Sequence, residues 1–198
     1  MGADGMGGTP VVFLDRDGVL CEEHGYVTSF ADLRIFPYAR DSVERLHALG
    51  YLAIVVTNQA AVAKGLVSEE DVAAMHERLV CETGVDAVYC CPHYPPAAGD
   101  PEAPPYRVVC GCRKPRTGLI EQARRNFELD MTRSWFVGDR AGDIMTGQAV
   151  GVRTVLLESG YGTARLENPV EPDMVFAALP DFAAYLEREH ERNAVSTI

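Results

Sequence analysis

Apolar runs that end in polar clusters recur along the chain and predict its architecture. Residues 11–14, Val-Val-Phe-Leu, form a short unbroken apolar run of the kind shown by a strand buried on both faces. The run stops at Asp15-Arg16-Asp17-Gly18, where the glycine lets the chain turn. Residues 51–57 (Tyr-Leu-Ala-Ile-Val-Val-Thr) repeat the pattern and end at Thr57-Asn58-Gln59, and residues 134–137 (Ser-Trp-Phe-Val) end at Gly138-Asp139. Residues 85–91, 153–157 and 173–176 are further strand candidates. Between them lie helical patterns. Val43, Leu46 and Leu49 recur at three-residue steps before Gly50, a C′ glycine. Ser68 and an acidic first turn open a helix running to about residue 83. Residues 117–128 place Leu119, Ile120, Ala123 and Phe127 on one face, and residues 141–150 and 183–191 complete the series.

Strands alternating with helices at this spacing predict an α/β fold, a doubly wound parallel sheet with helices on both faces. Right-handed crossovers bring the carboxyl ends of its strands to one edge, where ligands bind in such sheets. Asp15, Asp17, Thr57, Asn58 and Asp139 therefore arrive at one rim, with the polar loop 21–36 long enough to lie across it. The expected organisation is a leader over residues 1–9, one domain over 10–190 and a tail over 191–198.

Residues 92–111 differ in character. They hold prolines at 92, 95, 96, 101, 104 and 105 and few apolar residues, so they make no core of their own and are either disordered or pinned by something else. Cys91-x-His93 and Cys110-x-Cys112 flank the segment with three thiolates and one imidazole, a full ligand set for a closed tetrahedral Zn²⁺ site. Cys90 competes with Cys91, although adjacent strand residues point to opposite faces.

Composition narrows the partners. A formal charge of −11 without a basic run argues against nucleic acid and anionic membranes, while leaving room for a small anion at a local positive site. No stretch reaches 18 apolar residues, and the Gly-rich start lacks the cationic region of a secretory signal, so the expected compartment is the cytoplasm. Nothing in the sequence sets the oligomeric state; a monomer is the default.

The rim residues suit phosphoryl transfer. Asp15, Asp17 and Asp139 make an all-oxygen cluster fit for Mg²⁺, and Asp143, one helical turn after Asp139, can hold a metal-bound water or simply favour a helix N-terminus. Lys114, just before a helix start, offers a point charge to a phosphoryl group, and Thr57 a hydroxyl. Phosphoryl transfer needs mostly positioning and neutralisation of charge, which this set supplies.

Asp15-Arg16-Asp17-Gly18-Val19, the strand ending Thr57-Asn58-Gln59, Lys114-Pro115 before a helix, and Gly138-Asp139-x-x-x-Asp143 resemble, in order, the four motifs of the haloacid dehalogenase-like phosphatases. The resemblance covers residues 10–160. It implies Asp15 as nucleophile, forming an aspartyl-phosphate, and Asp17 as general acid and then base. It implies Mg²⁺ held by Asp15, the backbone carbonyl of Asp17 and Asp139, with Lys114 and Thr57 on the phosphoryl oxygens. The cysteine segment is similar to that of the subgroup holding D-glycero-D-manno-heptose 1,7-bisphosphate 7-phosphatase and histidinol-phosphate phosphatase. These lack a large cap domain and carry such a zinc loop, here residues 91–112. Their Cys-Pro-His pattern falls on Cys91-Pro92-His93, which selects Cys91 over Cys90. Arg113, at the end of that loop, is then a substrate contact.

The resemblance also implies that Glu23-His24-Gly25-Tyr26, similar to the Asp-His-Gly-Tyr of the heptose enzymes, lies over the site with Asn58, Gln59 and Arg140. Ala60-Ala61 stand where Ser-Gly is usual and Arg140 where lysine is usual, departures that bear on substrate rather than on chemistry. The expected activity is Mg²⁺-dependent hydrolysis of a small sugar phosphate, heptose 1,7-bisphosphate at the 7-phosphate, with histidinol phosphate as the alternative. A catalytically silent zinc-stabilised binding module is the competing class, disfavoured because every member of the constellation is present.

Overall fold

Val11–Leu14 forms strand β1, and all four of its side chains are buried, as a strand covered on both faces requires. A computed structural model describes residues 7–99, 101, 103, 105–163 and 170–195. The remaining strands are β2 (Leu52–Asn58), β3 (Ala87–Cys91), β4 (Trp135–Gly138), β5 (Arg153–Leu157) and β6 (Met174–Phe176). Helices α1 (Ala39–Ala48), α2 (Ala60–Ala63), α3 (Glu69–Thr83), α4 (Gly118–Asn126), α5 (Ala141–Ala149) and α6 (Leu179–Val195) alternate with them.

The sheet is parallel throughout, in the order β3-β2-β1-β4-β5-β6. The chain builds outward from β1 to β3, then returns to β1's other side and builds outward again. The reversal falls between β1 and β4, so the crevice of this doubly wound sheet opens at their carboxyl ends. Leu14 pairs with Val137, and the Asp15 N–H donates to Val137 O at 2.9 Å. Asp15 and Asp139 are thereby set side by side.

Alternation along β1 separates two cores. Val12 and Leu14 join Val43 and Leu46 of α1, Val72, Met75 and Leu79 of α3, and Leu179, Phe182 and Leu186 of α6. Val11 and Phe13 face Leu119, Ile120 and Ala123 of α4, beside Phe136. Helix α5 covers the same face so closely that a Cβ on Gly147 would meet Phe136 Cβ at 2.8 Å. Among the described residues, no helix is long and apolar enough to cross a membrane.

Several strand and helix ends shift by one or two residues from the sequence reading, and three further boundaries differ. Thr9, expected in the leader, accepts from the Asp130 N–H and donates to Glu128 O, which ties it beside the chain that follows α4. Residues 1–6 of that leader lie outside the described residues. Helix α6 begins at Leu179, four residues before the expected start, because Pro180 is tolerated in a first turn and Asp181 reaches back to accept from the Ala178 N–H. It also continues to Val195, through most of the expected tail. Helix α2 was not expected. Its four residues are all buried, so no polar face marks it in the sequence.

Candidate active site

Lys114 anchors the site. Its ammonium lies 3.0 Å from Asp15 Oδ1 and 2.6 Å from Asp143 Oδ1, and it donates to Val56 O at 2.7 Å. Burial works to discharge this amine, but Asp143 and Asp15 outweigh it and hold the pKa above the ordinary lysine value. Asn58, at the end of β2, fixes the approach of Lys114. Its amide accepts from the Lys114 N–H at 3.0 Å and donates to Lys114 O at 3.2 Å.

Asp15, Asp139 and Asp143 each bring a carboxylate oxygen within 4.8 Å of the others. Asp139 is fully buried in a cradle of glycines, where a Cβ on Gly160 would sit 2.2 Å from its Oδ2 and one on Gly18 2.6 Å from it. Oδ2 accepts from the Tyr161 N–H, whereas Oδ1 is buried without a hydrogen-bond partner and lies 3.7 Å from Arg140 Nε. Burial first, then Asp15 and Asp143, push Asp139 up to about 8. Burial also raises Asp143, to about 6, against the pull of Lys114. Clustered carboxylates with an orphaned inward oxygen fit a hard divalent cation, which would discharge the strain that protonation relieves here. Asp143 also accepts from the Arg140 N–H at 3.1 Å, so it caps α5 and pairs Lys114 at once.

Asp17 turns away from this cluster. Its carboxylate takes a fork from Arg16, Nε to Oδ1 and Nη2 to Oδ2, each at 2.9 Å. Gln59 Nε2 donates to the same Oδ2 and to Thr57 Oγ1, both at 3.0 Å. Gln59, expected to touch substrate, thus has both amide protons committed inside the protein.

Above these residues opens a cleft of about 380 Å³, lined among others by Asp15, Asp17, Thr57, Asn58, Gln59, Ala60, Lys114 and Asp143. Glu23, Gly25 and Tyr26 of the loop after β1 reach it from one side, Tyr94 and Arg113 from another, and Arg140 from a third. Arg140 pairs with Glu23 and stacks 4.1 Å over the Tyr161 ring. His24 stands apart: its Nε2 meets Asp32 O at 2.8 Å, holding the loop rather than facing the cleft.

Cys91, His93, Cys110 and Cys112 converge beside this cleft, their ligand atoms within 4.8 Å of one another. Cys91 Sγ lies 3.1 Å from Cys112 Sγ and 3.6 Å from Cys110 Sγ, and His93 Nδ1 lies 3.3 Å from Cys112 Sγ. Zn–S bonds of about 2.3 Å in a tetrahedron put ligand sulfurs about 3.8 Å apart, so the three sulfurs, 3.1 to 3.6 Å apart here, would need only to move slightly outward to hold the ion. Burial first, then its sulfur neighbours, raise the Cys91 thiol, a bias a soft cation would reverse. Cys90 packs on the opposite face of the sheet, with the α1–α3–α6 core. Arg113 Nη1 donates to His93 O at 3.0 Å, and its guanidinium lies 4.9 Å from the Tyr94 ring, so one ligand residue of this cluster also steers a cleft arginine.

Sequence reasoning missed Arg16, His76, Lys64 and Tyr94. Arg16 is fully buried yet sits within a motif read for its aspartates. His76 carried a signal: it interrupts the apolar stripe Val72, Met75, Leu79 on the inner face of α3. Lys64 lies 4.7 Å from the Tyr94 ring and 5.6 Å from Tyr26, bridging two loops that share no sequence pattern.

A family model described as HAD-hydrolase-like matches residues 111–182. D-glycero-beta-D-manno-heptose-1,7-bisphosphate 7-phosphatase of Haemophilus ducreyi is 34% identical over 90% of this chain and 99% of its own. Photorhabdus laumondii has two relatives, each 35% identical: one named for the beta anomer, over 88% of this chain and 93% of its own, and one for the alpha anomer, over 84% and 92%. Among solved structures, D,D-heptose 1,7-bisphosphate phosphatase of B. bronchiseptica, complexed with magnesium and phosphate, is 28% identical with a TM-score of 0.76 and covers 91% of this chain and 99% of its own.

Proposed function

The chain belongs to the haloacid dehalogenase-like phosphatases, and from that premise we propose that it removes the 7-phosphate of D-glycero-D-manno-heptose 1,7-bisphosphate in a magnesium-dependent hydrolysis. The observation that carries this reading is the contact of Lys114 Nζ with Asp15 Oδ1 at 3.0 Å, where both residues line the cleft and the buried Asp139 carboxylate lies within 4.8 Å of Asp15.

Asp15 Oδ1 is held by the Arg16 N–H and by Lys114, so Oδ2 is the oxygen that attacks phosphorus. As the Asp15–phosphorus bond forms, the bond to the sugar oxygen breaks, and Asp17 gives that oxygen its proton. Asp17 then takes a proton from water, whose oxygen attacks phosphorus and releases Asp15 and inorganic phosphate. Thr57 and backbone amides after β2 hold the phosphoryl oxygens, and Lys114, whose three ammonium protons meet Asp15, Asp143 and Val56 O, turns one of them to a phosphoryl oxygen when phosphate is bound. Asp15, the Asp17 carbonyl and Asp139 would hold Mg²⁺, with Asp143 beside them. The ion supplies neutralisation of phosphoryl charge. Cys91, His93, Cys110 and Cys112 would hold Zn²⁺ in a closed structural site, with no position for water.

The test is phosphate release with and without Mg²⁺ from heptose 1,7-bisphosphate in both anomers, histidinol phosphate and p-nitrophenyl phosphate. Magnesium-dependent release strongest on a heptose anomer is expected, and both anomers are needed because the two Photorhabdus laumondii relatives, named for different anomers, are each 35% identical to this chain. Asp15→Asn should abolish release with circular dichroism unchanged. Preference for histidinol phosphate would replace the substrate, and release from none would leave a binding module.

A further inference from the structure

Arg16 is fully buried, and its guanidinium is held on every side. Nε and Nη2 make the fork on Asp17, Nη2 also donates to Gln59 Oε1 at 3.0 Å, and Nη1 lies 3.2 Å from His76 Nε2. An arginine does not give up its proton, so His76 Nε2 is the acceptor and His76 is neutral with its proton on Nδ1. Its environment agrees: burial, then Arg16, lower His76 to about 3. Three parts of the fold thus meet on one cation: the end of β1, the residue after β2, and the middle of α3.

Stability does not explain this investment. Burying a guanidinium costs several kcal/mol, and apolar replacements of buried ion pairs are often neutral or better. What a fork provides and a hydrophobic contact does not is direction, since two parallel N–H bonds fix the plane of a carboxylate. The carboxylate so fixed is Asp17, whose side chain keeps 14% exposure toward the cleft. Gln59 then ties its Oδ2 to Thr57 Oγ1.

We propose that Arg16, locked by His76 and Gln59, is a positioning residue that aims Asp17 at the leaving-group oxygen. This rests on the phosphatase reading above. In the step concerned, the phosphorus–oxygen bond to the sugar breaks while the Asp17 proton moves to that oxygen. The fork receives the carboxylate that remains. A carboxyl free to rotate would meet the leaving oxygen in a smaller fraction of encounters, and proton delivery would slow.

The experiment compares kcat/KM on heptose 1,7-bisphosphate, whose alkoxide needs a proton, with that on p-nitrophenyl phosphate, whose phenolate leaves without one. It uses His76→Leu, which strands Arg16 Nη1, and His76→Gln, which restores an acceptor. Arg16→Lys keeps the charge, loses the fork, and carries the test should His76→Leu not fold. His76→Leu and Arg16→Lys should lower kcat/KM on the heptose substrate by about ten-fold or more, through kcat rather than KM. The aryl substrate should change by less than about two-fold, with His76→Gln near the parent. Equal loss on both substrates, or loss on neither, overturns the positioning role. If the parent hydrolyses neither substrate, the phosphatase reading fails instead, so the two failures are told apart.

Discussion

Lys114 shows how one side chain decides the state of a site. Two carboxylates and a carbonyl meet its ammonium where almost no water reaches, its own side chain being 3% exposed. In such a place, Coulombic pairing outweighs desolvation only because partners surround the charge. Lys114→Met should therefore abolish phosphate release and also destabilise the fold. Stranding buried ionised partners costs about 3–5 kcal/mol, and proton uptake by Asp143 would temper that figure. Urea unfolding of the metal-free protein measures it, and a midpoint equal to the parent's would show that the pair contributes nothing. Gly160 acts on the same cluster by having no side chain. A Cβ there would fall 2.2 Å from Asp139 Oδ2, so Gly160→Ala must displace that carboxylate. Magnesium affinity should drop about ten-fold, or about 1.4 kcal/mol, by isothermal titration calorimetry. An unchanged affinity would mean that Asp139 is not a ligand.

At the scale of elements, the strands were legible because each buried run is bounded by polar residues that cannot continue it. β5 matches its expected range to the residue, and α3 lies where Ser68 and Gly84 bracket it. What escaped was structure without periodicity. α2 is buried all round, and loop 21–36 is held by contacts such as His24 to Asp32 that leave no pattern in the chain. The site was legible where a residue type carried the chemistry, as at Asp15, Lys114 and the cysteines. It was harder to read where a residue acts through another: Arg16 is hidden inside a motif read for its aspartates, and His76 shows only as a break in the apolar stripe of α3. The loop between Cys91 and Cys110 tests the element level directly. Cys110→Ser should lower zinc content by elemental analysis and expose residues 92–111 to protease. The steering of Arg113 through His93 O should then loosen, raising KM more than it lowers kcat. Full zinc content in this variant would show that Cys110 is not needed to hold it.

Across the whole molecule the charge of −11 sets the background against which the site must gather a phosphate. Lys114, Arg113 and Arg140 set three cations among the carboxylates of Asp15, Asp17, Glu23 and Asp143 that line the cleft, while the clustered carboxylates of Asp15, Asp139 and Asp143 repel one another. That repulsion links folding, pH and metal. Asp139 in the metal-free protein is raised to about 8 and Asp143 to about 6, whereas an unfolded aspartate has a pKa of about 3.9. Between these values the folded chain binds more protons than the unfolded chain, so its stability falls as pH rises. The contribution of bound protons is fully present below about pH 4 and gone once the pH passes about 8. Magnesium held by the deprotonated oxygens, as proposed, would stabilise the fold by mass action, and its effect would run the other way. The rise in Tm on adding saturating Mg²⁺ should grow from pH 6 to pH 8, with proton release on binding detectable as a buffer-dependent heat at pH 7. Differential scanning calorimetry at three pH values measures the first, and titration in two buffers of different ionisation enthalpy measures the second. A magnesium increment equal at pH 6 and pH 8 would show that the cation does not replace a proton on these carboxylates, and the metal would then have to be sought elsewhere in the cleft.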